Sequence, residues 1–529
     1  MRTARTLAWL TVFAFSCCGS DPNGGTPESL DPDAREPFGT PSTAIGLNLS
    51  SVSYYATQEP FADVFRNRDA WVSTDGDTWN TDRMDDIPTD SGGYPVSLPI
   101  DGQMVQAGVF LPFKGDSFEI SWQGTGQLSL QGPDLQITQR AAHSLSFSVQ
   151  RSFTDSVFLR IERSDASDHV RDIRVQADAP YDTGFSAILS GFHVLRFMDW
   201  GGTNDSPIEH WSDRTTEAEG QGSTKGVAIE TMVDTANNAH ADLWFNVPHR
   251  ADDDYIERAA KLLKERLTPG LKIYVEYSNE NWNGIFSQVE WEQERGVALG
   301  LDRIGVYSGE SEAGAYWAGL KYSIRRAAVV HDTFRRVLGA SRVVAVVAGQ
   351  SAASDVNEKL LSFYEDERIN PLGGHPDALA VAPYFGQTYG DPEEAAELTV
   401  DDILDQTEAS IASTIGETTQ QNRAIADAHA VKLIAYEAGQ HLLAVGDLAA
   451  DEDFVQRLFA ANRKPRMGEL YRLADEVWRA NGGELAVYFN SCQPPTKYGT
   501  WGALEYQGQP ASEAPKWAAL LELTKTFAR

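Results

Sequence analysis

Cysteine is scarce: only Cys17, Cys18 and Cys492 occur in 529 residues. A single cysteine in the body cannot form an internal disulfide, so stability has to come from a packed core. Long apolar runs are missing as well, and nothing reaches the roughly 18 consecutive apolar residues that a membrane-spanning helix needs. Positive charge is in deficit, with 44 Lys+Arg against 76 Asp+Glu for a net −32. A body this acidic repels phosphate backbones and anionic headgroups, so nucleic acid is excluded as an expected partner, while neutral and cationic ligands remain. No HExxH or clustered histidine spacing occurs, and no metal or cofactor is expected. The segment Asp75, Gly76, Asp77, Asn80, Asp82, Asp85, Asp86 approaches a calcium loop without its central glycine and reads as a solvated acidic loop. No internal repeat of fixed period is present. What the chain does have is 42% hydrophobic and 10% aromatic content, the composition of a folded globular protein. Its length allows about three ordinary domains, or fewer if one is a large barrel.

At the N-terminus Arg2 and Arg5 precede an apolar run from Leu7 to Phe15 that is too short to cross a bilayer and reads as an export signal. Ala14-Phe15-Ser16-Cys17 resembles the lipobox of bacterial lipoproteins. That resemblance implies a signal peptide over 1–18, lipidation at Cys17 with Cys18 as the alternative, and membrane contact only through the lipid. An ordinary secretory signal with incidental cysteines is the competing reading; either way the protein is exported, anchored or released at the cell surface. Residues 19–42, rich in Gly, Pro, Asp, Ser and Thr, read as a flexible tether. Cys492 closes the apolar run LAVYFNSC, where a small buried residue is expected instead of a nucleophile.

Short β-rich runs recur along the chain at 44–50, 192–200, 241–249, 272–283, 342–350, 378–385, 432–441 and 485–492. Most are continuously apolar, as strands buried on both faces of a parallel sheet are. Helical periodicity lies between them. Asp252, Asp253 and Asp254 supply a cap and an anionic first turn, Ile256, Ala259, Ala260, Leu263 and Leu267 repeat on one face, and Pro269-Gly270 ends the run. Similar patterns mark helices near 312–337, 354–367, 453–480 and 513–527. Eight strands alternating with helices predict an α/β fold, a (β/α)8 TIM barrel over 43–68 and 185–529. The interval between the first and second strands breaks the rhythm. From roughly 90 to 178 it carries alternating runs such as SFEISW, SLSFSVQ and VFLRIE with turn residues between them. This predicts a β-sandwich domain, 69–184, inserted between those barrel strands, as a sugar-binding module or a lid.

Barrel chemistry sits at the C-terminal ends of the strands. The fourth run ends Tyr277-Ser278-Asn279-Glu280-Asn281-Trp282 and the seventh ends Tyr436-Glu437-Ala438-Gly439, so two carboxylates face each other across the mouth. At a separation of about 5–5.5 Å such a pair suits double displacement of a glycosidic bond, and a wider gap suits inversion. The Asn-Glu pair on the fourth strand and the single Glu on the seventh resemble the clan A glycoside hydrolases, retaining (β/α)8 enzymes. The resemblance covers about 44–66 and 185–529. It implies Glu280 as acid/base, Glu437 as nucleophile and Asn279 as the partner of the sugar 2-hydroxyl. By the same likeness Arg196 holds the nucleophile ionised, His249 stands near the acid/base, Tyr384 donates to the nucleophile and Trp501 is a sugar platform. Trp200, Trp211 and Trp282 are further candidate platforms, since aromatic faces suit the apolar faces of pyranose rings. Long connections after the first, second and fourth strands should wall a cleft, which favours a β-linked polysaccharide such as a cellulose-like chain.

Two alternatives stand beside this reading. Gly349-Gln350-Ser351-Ala352-Ala353 approaches the G-x-S-x-G elbow of serine hydrolases, with Glu437 and His441 downstream in the order acid then histidine, which would make Ser351 an esterase nucleophile. The other is a non-catalytic carbohydrate-binding lipoprotein on the same barrel.

Overall fold

The computed structural model describes residues 44–110, 117–132, 135–149, 156–177, 182–305 and 314–527. The expected signal peptide, Cys17 and the tether lie outside the described residues. The eight runs become eight parallel strands: β1 (Ile45–Asn48), β2 (Val194–Arg196), β3 (Asp242–Val247), β4 (Ile273–Tyr277), β5 (Val343–Ala348), β6 (Ala378–Val381), β7 (Lys432–Gln440) and β8 (Ala486–Tyr488). Each pairs with the next in chain order, and β8 pairs back onto β1, which closes the barrel. With helices outside, this is the architecture of a TIM barrel.

Alternation along each strand sorts side chains into two layers. Val194, Trp244, Val346, Ala378, Ile434 and Val487 fill the barrel interior. Leu47, Leu195, Leu243, Val275 and Leu433 point outward, into the layer shared with the helices. At Gly46 a Cβ would lie 2.9 Å from the Val194 carbonyl and 2.8 Å from a Val487 methyl, so the interior has no room for a side chain there.

The strands are shorter than the apolar runs that announced them. The run over 192–200 yields only three paired residues, and the fourth strand stops at Tyr277. Beyond these points the chain leaves the ladder in turns and bends that form the mouth.

Helix Asp253–Arg266 starts as its sequence predicts, with the Asp252 carboxylate accepting from the Tyr255 N–H. The run over 453–480 is instead two helices, Glu452–Arg463 and Pro465–Ala480, because Pro465 lacks an N–H and suits a first turn, not an interior. A helical rod absent from the expected set joins β6 to β7. It runs Val400–Ile411, a π turn at Ala412–Glu417, then Thr418–Ala428. Its Ser/Thr-rich middle has weak helix propensity and is held by burial of Ile411 and Ile415. No helix among the described residues is long and apolar enough to cross a membrane.

Between β1 and β2 lie two four-stranded antiparallel sheets. One contains Val72–Thr74, Met104–Phe110, Val157–Ser164 and Gly126–Gln131; the other contains Leu135–Arg140, Ser144–Val149, Ser117–Gln123 and Arg171–Ala177. Alternate residues of both sheets, among them Val105, Leu159, Ile161, Phe118, Phe147 and Val175, meet in one apolar cluster. Val64 and Phe65 join that cluster from the barrel side of the expected boundary. The loop after β1 docks on the first sheet through Tyr54, whose ring lies where a Cβ on Gly108 would come within 2.4 Å of it. Asp75 closes a local turn by accepting from the N–H groups of Asp77 and Thr78 at 3.0 and 2.7 Å. No group of three or more His, Cys, Asp or Glu among the described residues could hold a metal ion.

Candidate active site

A cavity of about 610 Å³ opens at the C-terminal ends of the barrel strands. Its wall is built from the strand ends and the segments that follow them: Asp199 after β2, Asn279, Glu280 and Trp282 after β4, Ser351 after β5, Tyr384 after β6, Glu437 on β7 and His441 just after it, and Phe489 and Trp501 after β8. Ser413, Thr414 and Thr418 of the helical rod add a hydroxyl-rich side.

The floor is organised by Arg196, which is fully buried at the end of β2. Its Nη1 donates to Glu437 Oε1 at 2.8 Å and to Asn48 Oδ1 at 3.2 Å, its Nη2 donates to Glu276 Oε2 at 3.0 Å and Asn279 Oδ1 at 2.8 Å, and its Nε reaches Glu276 Oε2 at 3.3 Å. All five N–H donors of the guanidinium are therefore engaged. Its plane lies near the rings of Tyr436 and Trp244, 5.0 and 5.5 Å from their centroids. Two carboxylates on one buried cation keep Arg196 charged despite its burial.

Glu437 takes a second hydrogen bond, 2.9 Å, from the Tyr384 hydroxyl to Oε2. The neighbouring Tyr436 also reaches the mouth, although consecutive strand residues should face opposite ways. Tyr436 keeps the inward phase of Ile434, and the register of β7 against β8 shifts between Ala435 and Ala438, a bulge that lets Glu437 face the mouth beside it. Tyr436 uses its place to donate to Glu280 Oε1 at 3.1 Å, while Asn283 Nδ2 donates to Oε2 at 2.9 Å.

Glu280 sits on strained backbone. Ser278 and Glu280 have φ of +61° and +45°, a left-handed conformation that residues other than glycine adopt rarely and that clusters at functional sites. The two acids differ in electrostatics. Burial, and after it the charge of Glu437, push Glu280 up to about 7, and no cation touches it. Burial raises Glu437 too, but Arg196 and the Tyr384 hydroxyl oppose that rise. The cation and the hydroxyl thus favour the charge on Glu437 over Glu280, which burial and the neighbouring carboxylate push up.

The structure thus brings Glu280, Glu437, Asn279, Tyr384, Trp282 and Trp501 to one cavity, with Arg196 directly beneath. Asn279 is bound at both ends, to Arg196 and through Nδ2 to Asn204 Oδ1 at 3.1 Å. Trp501 packs edge-on against His441 and Tyr384, with centroids 4.9 and 5.6 Å apart. His249 is not on the cavity wall. Its ring is buried edge-on to Trp291 at 5.4 Å, accepts from Arg250 Nε at 3.2 Å, and is held near 4 by burial and then by the Arg250 charge. Trp200 is no platform either, being fully buried with Nε1 donating to the Ser50 carbonyl at 2.9 Å. Trp211 lies outside the cavity under the Arg214 guanidinium.

Ser351 and His441 share the cavity, but the hydrogen-bond chain of a serine hydrolase is not formed. The Ser351 hydroxyl faces Thr418 Oγ1 at 3.4 Å, and the Glu437 oxygens are taken by Arg196 and Tyr384. Cys492 is free and buried, its thiol pushed up to about 12 by burial.

Sequence reasoning missed Glu276, Tyr436, Asn48 and Asp199. Glu276 had a signal: an acid in the middle of the apolar run IYVEY has to be paired in the interior. Tyr436 had one as well, since counting by twos from Ile434 places it inside the barrel.

Neither a scan of protein-family models nor a search of curated proteins finds a match to this chain. Among solved structures, a GH51 arabinofuranosidase from Xanthomonas axonopodis pv. citri matches at 14% identity and TM-score 0.37, covering 59% of this chain and 61% of that one. A Bacteroidetes-affiliated GH5 cellulase matches at 12% and TM-score 0.33, covering 65% and 90%. A family 1 β-glucosidase from Thermotoga maritima matches at 10% and TM-score 0.32, covering 65% and 85%. The chain thus spans about three fifths of the arabinofuranosidase's length.

Proposed function

We propose that the protein is a retaining glycoside hydrolase that cleaves a β-linked polysaccharide or oligosaccharide. One observation carries this reading: two glutamates from the tips of β4 and β7 line one cavity in unlike environments, Glu437 on a buried cation and Glu280 without one. Double displacement needs that asymmetry. Glu437, ionised, attacks the anomeric carbon; Glu280, protonated, gives its proton to the leaving oxygen; the resulting carboxylate of Glu280 then takes a proton from the water that frees the sugar from Glu437. Tyr384 and Arg196 hold the attacking carboxylate in place, and Asn279 is a hydrogen-bond partner for the sugar. Trp501 and Trp282 offer apolar surface to the ring.

We further read the paired sheets as an inserted β-sandwich domain, and the N-terminus as the export and lipidation signal of a surface-anchored protein.

The test is a panel of cellulose-, mannan- and xylan-type polysaccharides with the wild type and Glu437→Gln, the anomer of the first-formed product being followed by NMR. Sugar release by the wild type alone, with the β anomer appearing first, is the expected result. Equal release by both proteins removes Glu437 from the role of nucleophile. Tight glycan binding without turnover replaces the enzyme with a binding protein, and ester hydrolysis lost in Ser351→Ala replaces it with an esterase.

A further inference from the structure

Asp199 has no role in the reading above, yet it stands on the cavity wall three residues beyond Arg196. Its carboxylate makes no hydrogen bond or ion pair among the described residues, although it is partly buried and lines the cavity together with Met198, Asn204 and Trp501. Every other acid at this site has protein donors: Glu437 has Arg196 and Tyr384, Glu280 has Tyr436 and Asn283, and Glu276 has Arg196 and Trp244. An acceptor left open on the wall of a binding cavity is one that a ligand completes.

The rest of the wall restricts what that ligand carries. Its acids are Asp199, Glu280 and Glu437, with no Lys or Arg among the lining residues. His441 is kept neutral, near 4, by burial, and Arg196, beneath the floor, already has its donors engaged by Glu437, Glu276, Asn48 and Asn279. A sugar bearing a carboxylate would meet these acids and no cation on the lining, only neutral donors.

We propose that Asp199 is a substrate-binding carboxylate that accepts hydrogen bonds from donors of the sugar unit seated beside Glu437, and that the cavity thereby selects hydroxyl- or amine-bearing units over uronic acids. This rests on the glycosidase reading and adds its substrate class. Burial, and then the Glu437 charge, push Asp199 up to about 7, a disfavoured anion that a donor-bearing ligand relieves.

The experiment compares the wild type with Asp199→Asn on aryl β-glycosides of glucose, mannose, xylose, glucosamine and glucuronic acid. Because Asp199 has no hydrogen-bond or ion-pair partner among the described residues, Asp199→Asn should melt no lower than the wild type. With the wild type, kcat/KM for the glucuronide should be at least about 100-fold below that for the best neutral glycoside, the scale of a like-charge mismatch of several kcal/mol. In Asp199→Asn the KM for neutral glycosides should rise about tenfold with kcat little changed, the cost of a weakened charged hydrogen bond, and the glucuronide penalty should shrink. The glucosaminide separates the two donors: an amine at Asp199 makes it the substrate most damaged by the substitution, a hydroxyl leaves it equal to the glucoside. An unchanged KM across the panel, or a glucuronide cleaved as well as the glucoside, overturns the proposal while leaving the glycosidase reading intact. Failure of the wild type to cleave any of them, or to bind cello-, manno- or xylo-oligosaccharides by calorimetry, overturns both.

Discussion

Glu280→Gln should make the protein more stable at neutral pH while abolishing its chemistry. In the folded state Glu280 is pushed up to about 7, against an ordinary value of 4.5 that the unfolded chain keeps. Between those two values the native state holds a proton that the unfolded state has released, so stability falls as pH rises through the interval. At 1.36 kcal/mol per pH unit the interval from 4.5 to about 7 corresponds to at most about 3 kcal/mol, less whatever solvent in the cavity screens. Glutamine cannot ionise and therefore escapes that loss. It also keeps both contacts: its oxygen accepts from Asn283 Nδ2, and its NH₂ donates to the Tyr436 hydroxyl, which can accept as well as donate. The assay is urea unfolding of both proteins from pH 4 to 8. The curves should meet near pH 4.5 and diverge above it, the variant becoming more stable until the gap levels off beyond pH 7. In parallel, kcat/KM should fall about 10²- to 10⁴-fold, the contribution of a positioned general acid. Parallel stability curves across the whole range would refute the assignment of the raised acid to Glu280, whatever the activity data say.

Arg196→Met leaves Glu276 and Glu437 buried without their cation. A contact pair at about 4 Å between charge centres is worth about 4 kcal/mol at an effective dielectric of 20, and sharing between two acids reduces it, so the acidic limb of kcat/KM should move up by about 1–3 pH units. Stability should drop by about 3–5 kcal/mol in the same urea assay, and a folded variant whose acidic limb overlays the wild type would show that Glu437 is kept ionised by something else. Phe147→Ala removes a ring stacked on Phe118 at 5.3 Å in the core shared by the two sheets, and should cost about 3–5 kcal/mol; a cost under about 1 kcal/mol would mean that the sheets do not depend on a common core. Cys492 should resist iodoacetamide at pH 8 until denaturant is added, because burial holds its thiol at about 12, and fast labelling of the native protein would contradict that burial.

How much of this was legible beforehand depends on whether a residue announces itself by type or by geometry. The eight strands were readable because parallel barrel strands are apolar on both faces, and a run such as VVAVVA carries that requirement openly. Glu280 and Glu437 were readable because an acid at the end of such a run has to be at the mouth. The rod between β6 and β7 was not, since ASTIGE has the residues of a loop and is made helical by what it packs against, the competition that tertiary context usually wins. His249 failed for the opposite reason. Position near a strand tip does not say which way the ring turns, and here it turns toward Trp291 and away from the cavity.

Glu276 shows what finer attention to period would have added. Counting inward positions on β4 by twos from Tyr274 places Glu276 inside the barrel, next to the inward-facing Arg196 of β2 and Trp244 of β3. A buried acid in that layer requires a cation, and the one that reaches it is Arg196, since Lys432, in the inward phase of β7, pairs with Glu484 instead. Arg196 then answers to two acids, Glu276 from within the barrel and Glu437 from its rim, and cannot neutralise both. Part of the Arg196 charge is thus taken up one layer below the mouth, by a residue that does not line the cavity. Replacing Glu276 with Gln should therefore lower the acidic limb of kcat/KM, by giving Glu437 the whole of the Arg196 charge, and a limb that stays in place or moves up would show that the two acids do not compete.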